Sequence, residues 1–173
     1  MIKDFADEYT RYRAIGEKAI AQASDEALNQ LPGPENNSIA MIVRHISGNL
    51  ISRFTDFLTT DGEKEWRDRD SEFGDVRYTR HQVGQMWARG WAVLESQLSA
   101  LKDEDLEKTV TIRGNPLTVH EALCRSLAHT ASHAGQIVLL AKVLSGGNWK
   151  SLSISKGMSR ETNQHLTKEN RPA

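Results

Sequence analysis

The sequence has a single cysteine, Cys124, in 173 residues, so it can form no internal disulfide and no cysteine-only metal site. It also lacks a charge surplus. Its 22 Lys and Arg are set against 23 Asp and Glu, for a net charge of −1, which argues against a protein that binds nucleic acid by neutralising phosphates. Long apolar runs are missing too. The longest clean ones, Ile39 to Val43 and Ile137 to Ala141, fall far short of the ~18 residues of a membrane span. Met1 to Glu8 carries acids where a signal peptide has its apolar stretch. These absences predict a soluble, cytoplasmic protein whose partners are neither nucleic acid nor membrane. Only four prolines interrupt the chain, and its 26% of charged residues is ordinary for a folded domain. The length suits one domain with a core of its own.

The predicted fold class is all-α, because four long segments carry a helical period. The first runs from about Ile2 to Ala23, with Ile2, Phe5, Tyr9, Tyr12, Ala19 and Ala23 three or four apart except at one gap. A short turn capped by Ser24 follows, and Pro32-Gly33-Pro34 breaks the chain. The second helix starts after Ser38 and is predicted to reach about Thr60, with Ile42, Ile46, Leu50, Phe54 and Phe57 as its apolar stripe and Asp61-Gly62 as its stop. The third and fourth open on capping boxes, Thr79-Arg80-His81-Gln82 and Thr118-Val119-His120-Glu121. The third helix buries Val83, Trp87, Gly90, Leu94, Leu98 and Leu101, and the fourth ends at Ser145 before Gly146-Gly147.

The connection from Asp61 to Tyr78 is long enough to return along the bundle, so the second and third helices can be parallel and joined by a crossover. Its Trp66, Phe73 and Tyr78 are expected to pack on the body. Before the fourth helix, Thr109 to Ile112 reads as a small extended ribbon that turns at Arg113-Gly114-Asn115-Pro116. Trp149, Leu152 and Ile154 suggest a cover strand. The domain is placed at 1–155, with a polar tail over 156–173 that is expected to be loose beyond Arg160.

Histidines are the strongest candidates for chemistry. His129 and His133 are four apart, about 40° from one another around the helix, and their sector includes Ala122 and Leu140. On the second helix, His45, Asn49, Ser52 and Asp56 form a polar seam beside the apolar stripe. If that seam faces the fourth helix, His45 supplies a third nitrogen. Three imidazoles leave a coordination position open, as in catalytic rather than structural sites. Neutral imidazole suits zinc, nickel, iron or copper, so ligand type alone does not choose; zinc or nickel is the foremost expectation, with iron, manganese or copper as alternatives. A His-x-x-x-His pair also arises by chance, and interior histidines are often merely hydrogen-bonded. His81, His120 and His165 are read as non-ligands.

Several chemistries are excluded. Thr130 stands where the zincin motif needs glutamate, and no Glu stands three residues before a His, as a ferritin-like di-iron site requires. Cys124 points about 140° away from His129 and reads as a packing residue. Asn49 is the candidate for positioning a substrate, with an interhelical hydrogen bond as the alternative. Asp56 is expected to pair with an arginine of the 61–78 connection. Arg53 and Arg67 are read as surface ion pairs in preference to an anion site.

The segment His45-Ile46-Ser47-Gly48-Asn49-Leu50, with His129, His133 and the following Gly135-Gln136, resembles the DinB/YfiT superfamily. The stretch Asp56-Phe57-Leu58-Thr59-Thr60-Asp61-Gly62-Glu63-Lys64, followed by Trp66 to Asp70 and Glu72-Phe73, resembles one uncharacterised branch of it. The resemblance spans nearly the whole chain. It implies a four-helix bundle with a long crossover, commonly a homodimer, holding one divalent metal through His45, His129 and His133. Some members of the superfamily transfer low-molecular-weight thiols, so a thiol cosubstrate and a small-molecule substrate are implied here. A metal-dependent hydrolase and a non-catalytic metal-binding or oligomerising bundle are the alternatives.

Overall fold

A computed structural model describes residues 1–163. His165 and the end of the predicted tail lie outside the described residues. The chain is mostly helical, with α1 (Ile2–Gln22), α2 (Asp25–Asn29), α3 (Ile39–Phe54), α4 (Arg80–Ala100) and α5 (Val119–Leu144). A two-stranded antiparallel sheet, β1 (Thr109–Ile112) and β2 (Asn115–Thr118), precedes α5. No helix of the described residues is long and apolar enough to cross a membrane.

Local chemistry starts these helices where the sequence predicts. The Ser24, Ser38, Thr79 and Thr118 side chains each accept a backbone N–H of the following helix, and Gln82 and Glu121 complete two capping boxes. The predicted stripes form the core. Ile42, Ile46, Leu50, Phe54 and Phe57 of α3 and its extension are buried against Val83, Trp87, Leu94 and Leu98 of α4. The gap in the period of α1 is Gly16, where an added Cβ would lie 2.5 Å from the Trp87 ring, so the absence of a side chain lets the indole pack against the helix.

The contacts fix the helix directions. Phe5 lies on His120, Tyr9 reaches the Leu123 carbonyl and Gln22 bonds Lys150 just beyond α5, so α1 and α5 run the same way. Gly16 faces Trp87, Tyr9 faces Trp91 and Arg80 reaches the Ile20 carbonyl, so α1 and α4 are antiparallel. His45 meets His129 and His133, while Phe54 and Ala122 share one cavity wall further on, so α3 opposes α5. Helices α3 and α4 therefore run in the same direction, and the chain between them returns along α3. Gly62 lies against Arg53, Glu72 against Gly48, and the Tyr78 hydroxyl accepts a hydrogen bond from Arg44 at 2.7 Å.

Several expectations need correction. Helix α3 ends at Phe54, not near Thr60, because Thr55 is extended and Asp56 turns into the left-handed region at φ 49°. At 16 residues the helix is about 24 Å long. Phe57 remains buried after the helix has ended, which is why the apolar stripe overran the boundary. Asp61-Gly62 is an anchor for the return segment. The Asp61 carboxylate accepts the backbone N–H groups of Glu63, Arg113 and Gly114, and Gly62 donates to Thr111. The hairpin turn is only Arg113-Gly114, both at positive φ, and Pro116 is paired within β2. Trp66 is 60% exposed, although Phe73 and Tyr78 do pack. Trp149 and Leu152 cover the core without forming a strand, and Ile154 is exposed. The segment around Arg160 is helical as far as it is described.

Two glycines of α4 separate packing from helix propensity. A Cβ at Gly90 would lie 2.7 Å from Ser47 Cα, whereas nothing lies within 4 Å of one at Gly84. Gly84→Ala is expected to stabilise the protein by up to about 1 kcal/mol. Gly90→Ala is expected to destabilise it by about 1–2 kcal/mol, because overpacking outweighs the same propensity gain. Urea unfolding midpoints of the two variants check the opposite signs.

Candidate metal centre

His45 is carried on the buried face of α3, and His129 and His133 lie on adjacent turns of α5. Antiparallel packing of these helices brings the three rings together. His129 Nε2 lies 3.2 Å from His45 Nε2 and 3.2 Å from His133 Nε2, and one nitrogen from each ring falls within a mutual span of 4.8 Å. Two ligands at about 2.0–2.1 Å from a tetrahedral zinc are about 3.3 Å apart, close to those spacings.

The outer nitrogens of two of the rings are already committed. His45 Nδ1 is 2.8 Å from Glu72 Oε2, and His133 Nδ1 is 2.7 Å from Gln136 Oε1. Both partners accept hydrogen bonds, so both Nδ1 atoms donate. In the neutral rings, His45 Nε2 and His133 Nε2 are then bare lone pairs aimed at the centre. One N–H on His129 Nε2 can meet only one of them. A single cation satisfies all three nitrogens, so the residues present fit a metal.

Glu72 joins this site although no local spacing in the sequence points to it. It comes from a short 3-10 turn, Asp70–Phe73, in the segment returning along α3, and it is 5% exposed. Arg67 grips it through Nε at 2.8 Å and a terminal nitrogen at 3.0 Å. Desolvation pushes the Glu72 carboxyl up, but hydrogen bonds from His45 and Arg67 and their charges hold it below its ordinary range. Phe73 of the same turn packs on the His45 ring, with centroids 4.9 Å apart. Gly48 makes the approach possible, because a Cβ there would collide with the Glu72 carboxylate. A glycine in the middle of a helix, three residues after His45, was the available signal.

Other predicted residues divide. Asn49 is 9% exposed, lines the cavity beside His45 and His129, and its side-chain amide forms no hydrogen bond with any described residue. The alternative of an interhelical hydrogen bond is therefore not realised. Ser52 leaves the seam's chemistry and fastens the return segment, donating to the Gly62 carbonyl at 2.7 Å. Asp56 lies beyond the helix, is exposed, and makes no arginine pair among the described residues. Arg67 is not a surface ion pair, since its side chain is only 3% exposed. Arg53 is half-buried and pairs with Glu63 at 3.0 Å. Cys124 is exposed beside His120, not packed, and contributes nothing to the cavity lining. His81 and His120 are exposed and remote from the triad.

A cavity of about 200 Å³ opens beside His45 and His129. Phe54, Phe57, Ile112 and Ala122 form its apolar wall. Burial, then the neighbouring His133 and His45, pull His129 down from 6.5 to about 4. Burial also lowers His133.

These shifts give the metal-free protein a defined pH response. The unfolded chain binds a proton at His129 below about pH 6.5, while the folded chain declines it until about pH 4. Stability should therefore fall as the pH drops from 6.5 towards 4, and His133 acts in the same direction. Urea midpoints of chelator-treated protein at pH 7, 5.5 and 4.5 should decrease in that order, and His129→Gln should flatten the dependence. Equal slopes in parent and variant would reject this assignment.

No curated protein matches this chain. The model of the family described as "Protein of unknown function (DUF1572)" matches residues 1–158, which carry the helices, the hairpin, the returning segment and all three clustered histidines. The chain belongs to that family.

Proposed function

We propose that His45, His129 and His133 hold one divalent metal ion and that the protein is a metal-dependent enzyme of the DinB/YfiT type, a four-helix bundle whose long crossover completes the site. The observation that carries this reading is the convergence of three Nε2 atoms, two of them stripped of protons by Glu72 and Gln136, at the edge of a cavity. When bound, a divalent cation lowers the pKa of an incoming thiol or water and so supplies a nucleophile near neutral pH.

The chain's own groups have separate tasks. Glu72 orients the His45 ring and keeps its proton on Nδ1, and Arg67 keeps Glu72 ionised despite burial. Gln136 does the same for His133. Asn49 offers an unused amide to a substrate entering the cavity. The apolar wall of Phe54, Phe57 and Ile112 excludes water from one side of the reacting groups. The only cysteine lies outside the cavity, so a thiol nucleophile has to arrive as a cosubstrate. Transfer of a low-molecular-weight thiol to an electrophile is the reaction we assign.

Elemental analysis of protein purified without a metal-affinity tag should find one equivalent of a divalent metal, zinc or nickel foremost. His129→Ala should lose it while remaining helical by circular dichroism, because alanine is a good helix former. Glu72→Gln should weaken metal affinity about 10–100-fold. Retained stoichiometric metal in His129→Ala would remove the ligand assignment. Metal-loaded protein should conjugate a small thiol to members of an electrophile panel, and exclusively water-derived products would overturn the transferase assignment.

A further inference from the structure

Five arginines line the cavity beside the histidines: Arg53, Arg67, Arg69, Arg113 and Arg125. Among the described residues, no acidic side chain lines it. Two carboxylates answer this charge from behind. Glu72 is taken by Arg67 and His45, while Glu63 is shared between Arg53 at 3.0 Å and Arg113 at 2.8 Å. Asp61 is committed to the backbone N–H groups of Glu63, Arg113 and Gly114.

The remaining two guanidiniums are nearly free. Arg69 lies over the Phe73 ring and has, among the described residues, only the fully exposed Asp70 carboxylate, at 4.0 Å. The Arg125 guanidinium, one turn before His129 on α5, makes no hydrogen bond or ion pair with any described residue. Like charges crowded around one small volume repel. Burial lowers the Arg53 guanidinium despite Glu63, and the Arg67 and Arg113 charges lower it further. The buried Asn49 amide, without a partner, faces the same space. Guanidiniums bind carboxylate and phosphate through paired N–H groups, and an amide N–H can add a further donor.

We propose that this cavity binds a small organic dianion, with Arg125 and Arg69 receiving its carboxylate or phosphate groups and Asn49 orienting it beside the histidines. This inference rests on the cavity being the substrate chamber of the metal site and names the substrate class it takes. A volume of about 200 Å³ limits the occupant to a small molecule. The charge arrangement selects against neutral and cationic ones.

Titration calorimetry of the metal-loaded full chain at fixed ionic strength tests this with three probes: succinate, inorganic phosphate and the neutral diamide succinamide. At least one anion should bind saturably and the diamide should not, with the tighter anion distinguishing carboxylate from phosphate chemistry. Arg125→Gln and Arg69→Gln should each weaken the anion about tenfold or more while metal content and circular dichroism stay unchanged. Equal binding of the diamide overturns the proposal, as does parent-like anion affinity in both variants, which would assign the anion to the metal alone. Metal content is read in the same samples. A parent that holds metal but no anion rejects this inference alone. A parent that holds no metal yet binds anion through Arg125 rejects the metal assignment alone.

Discussion

Three imidazole nitrogens crowd one point, with His129 Nε2 only 3.2 Å from each of the other two, and they need protons or a cation between them; the rest of the site is organised around that need. Neutral rings repel lone pair to lone pair unless protons or a cation intervene. Glu72 and Gln136 hold two of the available protons on the far side of their rings. Burial resists adding more, which is why His129 is pulled down to about 4. The arrangement thus resists protonation at neutral pH and leaves nitrogen lone pairs that could hold a metal ion.

Topology supplies the device that makes this possible. Because α3 and α4 run the same way, the chain between them has to travel back along α3. That return passes Glu72 and Phe73 over the outer edge of His45 and ties itself down on the way. Asp61 locks its start to the hairpin turn, Ser52 holds Gly62, and Arg44 holds Ser71 and Tyr78 near its end. A segment without regular periodicity is fixed by side-chain hydrogen bonds, and its rigidity passes to the imidazole it orients. The same segment brings Arg67 and Arg69 to the cavity, so one connection shapes both the histidine cluster and its electropositive surroundings.

Much of this was legible in the sequence because helices write their buried faces at a fixed period. The His129–His133 pair and the His45–Asn49 seam were readable from angular position alone, and the helix starts from their capping residues. What escaped lay outside that period. Glu72 is 27 positions from His45 and meets it only through the crossover, so no local spacing points to it. The end of α3 is hidden in the apolar pattern because Phe57 stays in the core after the helix has stopped. Asp56 falls on the helical seam by angle yet lies beyond the end of the helix, and Cys124 sits on an exposed face of α5. Arg67 reads as a surface charge in sequence and becomes a buried clamp only because Glu72 is buried beside it.

The central claim is that three histidines from two helices share one cation. X-ray absorption at the zinc edge of zinc-loaded protein tests it most directly. The account predicts an inner shell of three imidazole nitrogens at about 2.0–2.1 Å completed by a light exchangeable atom. A sulfur contribution at about 2.3 Å, or a shell with fewer than three imidazoles, would contradict it.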